Sequence, residues 1–406
     1  MTIPLSMPDI GEREIEAVTQ VLRSGRLSLG PVVDEFEEKF ASFVGARYAV
    51  ATSSGTSALH LCVKALGIEA DDEVLTTSFS FVASTNCFLY EGALPAFADI
   101  DSATLNLDPE RVREAINRNY AWDQAGKLLV NRISGRPLKA ILPVHVFGLP
   151  CQMDSFREIA QTLNLRVIED ACEALGAEYR GRRAGTLGDA AAFAFYPNKQ
   201  MTTAEGGMVV TNERWIAELC RSLRNQGRDD TARWLRHTHL GYNYRLSDIH
   251  CALGLAQLER IEELLARRAH VASVYSQLLG KIPEIAIPYE PPDVKRSWFV
   301  YVIRFVGRLA PVLRDAAVDG LRKRGMACQT YFQAIHRQPY FRGIELIPAP
   351  ELPCTEAAAE TCLALPFFST MTDEQVFEVC AALREILGER IENAAPQIMA
   401  AGPSAG

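Results

Sequence analysis

Tyr48–Leu66 reads YAVATSSGTSALHLCVKAL, and its two ends obey different periods. Tyr48–Thr52 is a short apolar run, Ser53–Ser57 is small and hydroxylic, and Ala58–Leu66 returns apolar residues at helical spacing. A strand, a tight turn and a helix in that order form the first half of a β-α-β unit. Small residues in such a turn let backbone N–H groups and hydroxyls approach an anion, and the helix dipole favours negative charge there. The turn lacks the lysine of a nucleotide-binding P-loop. A serine helix cap with a glycine turn accounts for the same residues without a ligand.

The alternation continues outward. Strands are expected over Asp72–Thr77, Leu94–Asp99, Leu138–Val146, Arg166–Glu169, Ala190–Tyr196 and Gly207–Thr211. Helices are expected over Val82–Tyr90, Arg111–Asn119 and Asp154–Asn164, the first of the last two entered through Asp108-Pro109. Apolar, β-branched strands separated by helices imply an α/β fold, with a mainly parallel sheet covered on both faces. After Thr211 the pattern changes to helices over Glu213–Asn225 and Ser247–Leu279, a strand at Trp298–Phe305, and helices at Ala310–Arg324 and Asp373–Ile386. The division expected is a large domain over 1–245, a smaller α+β domain over 246–392 behind a connecting helix, and a flexible tail over 393–406.

Composition removes several functions. The chain has 406 residues, 48% hydrophobic and 23% charged, with a net charge of −8. Its slightly acidic balance, without a basic block, speaks against nucleic acid and anionic membranes as partners. No stretch reaches the length of a membrane span, and the first residues lack a signal-peptide pattern. Ten cysteines are scattered without a C-x-x-C pair, so neither a metal site nor a disulfide framework is expected. The reading is a reduced, cytoplasmic protein. Only eight of the 42 cationic side chains are lysines, which leaves few places for amine chemistry.

Ligands of open parallel sheets bind beyond the carboxyl ends of the strands, so residues just past each strand carry the argument. Asp170 closes the buried run VIED, where an ionised carboxylate would keep a heteroaromatic nitrogen protonated or bind a metal, the weaker reading because no His or Cys ligand set converges in sequence. Lys199 follows the strand Ala190–Tyr196 and a Pro-Asn turn, among apolar and neutral residues, where desolvation favours the neutral amine a Schiff base needs. Phe81, in SFSF past another strand, could stack on a ring. An anion-binding turn, a strand-end aspartate and a lysine about thirty residues later are what pyridoxal 5′-phosphate (PLP) requires.

Seven blocks carry a resemblance: IPLSMPDIGEREIEAV, GPVVDEFEEKF, SSGTSALHL, PVHVFGLP, VIEDACEA, FYPNKQMTTAEGGMVVT and GYNYRLSDIHCALGLAQL. In this order they resemble the DegT/DnrJ/EryC1/StrS sugar aminotransferases, which have the fold-type I architecture of PLP enzymes. The resemblance implies Lys199 as the Schiff-base lysine and proton shuttle, Asp170 on the pyridine nitrogen, and Phe81 against the ring. It implies phosphate contacts from Gly55 and Thr56. It also implies that Asn243 reaches the cofactor phosphate of a neighbouring subunit, hence a homodimer with shared sites. His336 is expected to line a sugar pocket, with Tyr331 and Arg26 among the substrate-binding residues. Two positions depart from the family pattern. Glu173 stands where many members have glutamine near the phenolic oxygen, so it is either protonated or turned elsewhere. Ala194 stands where many have a phosphate-binding serine. The retained Lys199 speaks against the family's dehydratase branch, in which histidine replaces it.

The expected activity is transfer of an amino group from an amino-acid donor, glutamate, to a 3- or 4-keto-hexose linked to a nucleotide. Two competitors remain. One is another fold-type I activity, such as a desulfurase or decarboxylase; a desulfurase needs a mobile reactive cysteine, and no Gly/Ser-rich loop marks one of the ten. A regulator would bind PLP or a sugar nucleotide without turnover.

Overall fold

The structure is a computed structural model that describes residues 2–228, 236–344 and 346–400, with side chains given as far as 388. Its centre is a sheet in which seven strands run in the order Tyr48–Thr52, Gly207–Thr211, Ala190–Ala194, Arg166–Asp170, Pro137–Leu142, Glu73–Thr77 and Leu94–Ala98. Only Gly207–Thr211 runs against the others, pairing antiparallel on both sides. It enters directly from Ala190–Ala194 through a connection without a helix, and a parallel return needs a crossover. A hairpin, Tyr120–Asp123 with Leu128–Asn131, adds antiparallel strands beside Pro137–Leu142 that the sequence pattern did not reveal.

Strand alternation divides the core. Val50, Ile168, Ala192 and Val209 face one side, under the helices Gly55–Ala65 and Arg214–Arg224. Ala49, Ala51, Phe193, Met208 and Val210 face the other, against Phe36 and Phe40 of the helix Pro31–Val44 and Leu255 and Leu258 of the helix Asp248–Glu259. Both faces are buried, as the apolar strands require.

The single helix expected over Ser247–Leu279 is two, Asp248–Glu259 and Ile261–Leu279. The break falls at Arg260, whose φ of −113° and ψ of 17° are not helical. There the guanidinium reaches Asp9 at 3.1 Å and Glu14 at 3.2 Å, at the start of the N-terminal helix Glu12–Ser24. The first helix packs on the main sheet. The second shares a separate core with the strands Tyr301–Phe305 and Cys362–Leu365 and the helix Ala310–Lys323. Ile3 joins that second core, bonded in both directions to Gly325 and Ala327. The last helix is Asp373–Ala400, so the segment expected as a tail from 393 begins as helix, and residues 401–406 lie outside the described residues.

Candidate active site

Six strands of the main sheet end at one edge, and a cavity of about 810 Å³ opens there. Its lining includes Gly55, Thr56, Phe81, Asp170, Glu173, Lys199 and Tyr331. Asn243, His336 and Arg26 do not line it.

The cradle on one side follows from the helix start. Ser54 caps the helix Gly55–Ala65, its Oγ accepting from the Ser57 N–H at 3.1 Å while its carbonyl takes the Ala58 N–H at 3.0 Å. The Gly55 and Thr56 N–H groups, the first two of the helix, have no intrahelical acceptor. A Cβ on Gly55 would lie 2.6 Å from the Ala194 Cβ and 3.1 Å from Cys172 Sγ, so glycine is what lets this turn close against the end of the strand Ala190–Ala194. Ala194 thus offers a methyl group where a hydroxyl was expected in the family pattern.

Asp170, 4% exposed, is the last residue of its strand. Ser84 Oγ donates to its Oδ2 at 2.7 Å and the Cys172 N–H to its Oδ1 at 3.1 Å. These fix the carboxylate and leave room for a further donor from the cavity. Phe81 stands 60% exposed beside it, an apolar ring face held open to the cavity.

Lys199 lies in the turn after Ala190–Ala194, its N–H bonded to the Tyr196 carbonyl at 2.9 Å. The strand is two residues shorter than the pattern suggested, because Thr203 N–H and Thr202 Oγ take the Phe195 carbonyl and turn the chain. The amine is 3.9 Å from the Phe299 ring centroid and 3.8 Å from Glu173 Oε1. Glu173 Oε2 accepts the Phe147 N–H at 2.8 Å. Burial pushes the Glu173 carboxyl above the usual carboxylate range, and the facing Lys199 and the Phe147 N–H offset only part of that. Asn198 Oδ1, buried beside Lys199, has no hydrogen-bond partner among the described residues.

The remaining expected residues sit elsewhere. His336 is held by Ser78 Oγ at 2.7 Å and faces Glu356 at 3.3 Å. Burial lowers its pKa. Arg26 lies in a groove between the helices Glu12–Ser24, Pro31–Val44 and Asp248–Glu259. Asn243 is exposed between Tyr242 and Tyr244, whose rings stack 4.9 Å apart. Tyr242 and His60 both bond Glu91 Oε1, and the Tyr244 carbonyl takes the Ser53 N–H at 2.9 Å. The GYNYR segment is therefore wired to the Ser53–Ser57 turn of its own chain.

Several lining residues escaped the sequence reading. Ser84 and Cys172 differ from their neighbours by nothing local. Phe299 looked like one residue of a strand, but that strand begins only at Tyr301, and Phe299 precedes it under the amine. Gln329, Thr330, Gln333 and Gln338 add neutral polar groups to the lining.

The donor set defines an amine, a clamped carboxylate, an aromatic face and an anion cradle around one space. Residues 8–384 match the DegT/DnrJ/EryC1/StrS aminotransferase family. The chain belongs to that family of sugar aminotransferases, whose members depend on PLP. It is 35% identical to the spore coat polysaccharide biosynthesis protein SpsC of Bacillus subtilis, over 95% of this chain and 97% of that protein. It is also 35% identical to the GDP-perosamine synthase of Caulobacter vibrioides, over 95% and 98%. The fold superposes with a TM-score of 0.83 on S. venezuelae DesV, solved in complex with a ketimine intermediate. That pair is 32% identical over 95% of this chain and 98% of the other. Among the described residues no helix is long and apolar enough to cross a membrane, and no group of three or more His, Cys, Asp or Glu could hold a metal ion.

Proposed function

We propose that this chain is a cytoplasmic, homodimeric aminotransferase that uses PLP to move an amino group from glutamate to a keto-sugar carried on a nucleotide. The observation that supports it most is the convergence of Lys199, Asp170, Phe81 and the free helix start at Gly55–Thr56 on one cavity. The residues present fit the cofactor. The two N–H groups suit a phosphate, the exposed Phe81 face suits a flat ring, and the Asp170 carboxylate suits a ring nitrogen that must keep its proton. The orphaned Asn198 oxygen leaves an acceptor free beside the amine.

When bound there, PLP supplies the electron sink that lets a carbon–nitrogen bond be exchanged between two carbon skeletons. The chain's own groups do the rest. Lys199 Nζ holds the cofactor between turnovers; once displaced, it takes the proton from the donor's α-carbon. In the second half it returns a proton to the sugar carbon that receives nitrogen, so one amine is base and then acid. The Asp170 carboxylate keeps the proton on the ring nitrogen, and Ser84 keeps the carboxylate in place. Glutamate and the keto-sugar leave as 2-oxoglutarate and the amino sugar. The neutral polar lining from Gln329, Gln333 and Gln338 suits sugar hydroxyls, and the name of the Caulobacter relative supports a nucleotide-linked sugar.

A desulfurase reading finds little support, because burial and the neighbouring Asp170 push the Cys172 thiol, which also lines the cavity, well above its ordinary value. The test is to load the protein with PLP, add glutamate, and follow the loss and return of the visible cofactor band as nucleotide-linked 3- and 4-keto sugars are supplied. Borohydride should fix the cofactor to Lys199, and Lys199→Ala should lower turnover by about a thousandfold or more. A band that glutamate bleaches but no keto-sugar restores would favour the non-catalytic binder. A protein that takes up no PLP would overturn the proposal.

A further inference from the structure

A second cation lies behind Lys199. Arg268, on the helix Ile261–Leu279, is only 2% exposed, and none of its hydrogen bonds among the described residues is to a carboxylate. Its Nη2 donates to the Lys199 carbonyl at 2.8 Å, and its Nη1 donates to the Phe299 carbonyl at 3.1 Å. Its Nε has no hydrogen-bond partner among the described residues, and the guanidinium packs 5.7 Å from the centroid of the Phe367 ring. Burial pushes its pKa down to about 10. Asp9 offsets part of that without bonding to it, and removing a charge from water without a bonded carboxylate is costly, so an apolar side chain of similar volume would fill the space more cheaply.

The two carbonyls are what distinguish this placement. One belongs to the reacting lysine. The other belongs to the residue whose ring lies 3.9 Å from the lysine's amine. One planar group therefore holds both partners of that contact by their backbones. Gln200 adds a tie on the same loop, its Nε2 donating to the Glu173 carbonyl at 2.6 Å and to Ser297 Oγ at 3.0 Å. Lys199 and Phe299 come from segments a hundred residues apart, and nothing else described bridges their main chains directly.

We infer that Arg268 is a positioning residue for Lys199, its guanidinium fork locking the lysine and Phe299 backbones together so that the amine enters the cavity at one place. The inference rests on the proposed function only in taking Lys199 as the reacting amine. A rigid fork suits two carbonyls in a way that a point-like ammonium does not, so Arg268→Lys keeps the charge and loses the clamp.

The test compares the full-length protein with its Arg268→Lys variant, using two probes. Pyridoxamine phosphate has the ring and phosphate but no aldehyde, and needs no amine. Pyridoxal phosphate must meet Lys199. We expect pyridoxamine phosphate affinity to stay within about twofold, while borohydride-fixed capture of pyridoxal phosphate on Lys199 slows about tenfold. Equal loss for both probes would mean general loosening, and no loss for either would mean no clamp; each overturns the inference. A third readout needs no cofactor. Reductive methylation of the cofactor-free protein, followed by peptide mass, should show Lys199 reacting at least about threefold faster in the variant relative to Lys139, since an unpinned amine leaves the Phe299 face. An unchanged ratio overturns the inference even if the wild type takes up neither probe, an outcome that would sink the cofactor assignment separately. Should Arg268→Lys not fold, Arg268→Met removes both donors and fills a similar volume with an apolar side chain. It should raise the same methylation ratio, and an unchanged ratio there counts equally against the clamp.

Discussion

Lys199 Nζ and Glu173 Oε1 face each other at 3.8 Å inside a cavity that leaves the two side chains 13% and 8% exposed. The second Glu173 oxygen is already taken by the Phe147 N–H. The carboxyl is thus turned toward the amine, in the position where many family members carry glutamine, and its protonation is tied to its burial.

That tie has a sign. Glu173 has a folded-state pKa raised above its ordinary value of 4.5, chiefly by burial. The folded protein binds that proton more tightly than the unfolded chain. The associated stability is fully present below pH 4.5 and is lost as pH rises through the raised value. Glu173→Gln keeps the acceptor for Phe147 and does not titrate. Its melting temperature should therefore gain on the wild type as pH rises from 4.5 into that window, and parallel curves would refute the burial argument.

Asp170→Asn should preserve the fold, since the amide oxygen can still accept from the Cys172 N–H and the amide NH2 can donate to Ser84 Oγ once that hydroxyl turns. It cannot hold a proton on a ring nitrogen. Turnover should fall by about a hundredfold or more with cofactor still bound. Steady-state rates alongside a cofactor-binding titration check this, and a variant of wild-type activity would remove Asp170 from the mechanism.

Gly55→Ala drives a methyl group to 2.6 Å from the Ala194 Cβ and 3.1 Å from Cys172 Sγ. Strand and helix start cannot both stay in place. Overpacking of this kind costs about 1–3 kcal/mol, and the cradle should suffer with it. The affinity for pyridoxal phosphate should fall more than that for unphosphorylated pyridoxal; equal losses would place the damage elsewhere.

Glu91 couples the GYNYR segment to the helix behind the cradle. Burial works against its carboxylate, but hydrogen bonds from Lys64, His60 and Tyr242 prevail and hold its pKa below the ordinary 4.5. The stabilisation is present above pH 4.5 and disappears as pH falls through the lowered value. Glu91→Gln should cost about 1.5–3 kcal/mol at neutral pH and speed amide exchange at Tyr242 and Tyr244. The gap between variant and wild type should close in acid. A gap independent of pH would argue against an ionised Glu91.

Much of the fold is local in origin and so can be read from the chain. The periods of YAVAT and ALHLCVKAL give strand and helix, and the Gly207–Thr211 run shows where a strand lies. Its antiparallel direction does not follow from its composition, because that depends on the length of the connection before it. The Ser247–Leu279 stretch keeps helical spacing throughout, yet it breaks at Arg260 because Asp9 and Glu14, far away in sequence, draw its guanidinium out of line.

The site divides the same way. By itself the sequence placed Lys199, Asp170, Phe81 and the Gly55 turn at one sheet edge, because each lies at or just past a strand end, and strands of one parallel sheet present their carboxyl ends at a common edge. Only the tertiary structure decided which side chains surround them. Ser84 on Asp170, Phe299 against the amine and Arg268 behind it come from segments with no local mark. His336 is bound to Ser78 and faces Glu356 away from the cavity, and Arg26 lines a separate groove. A strand end is fixed by its own residues and their period, whereas a hydrogen-bond partner is fixed by where two distant segments happen to pack.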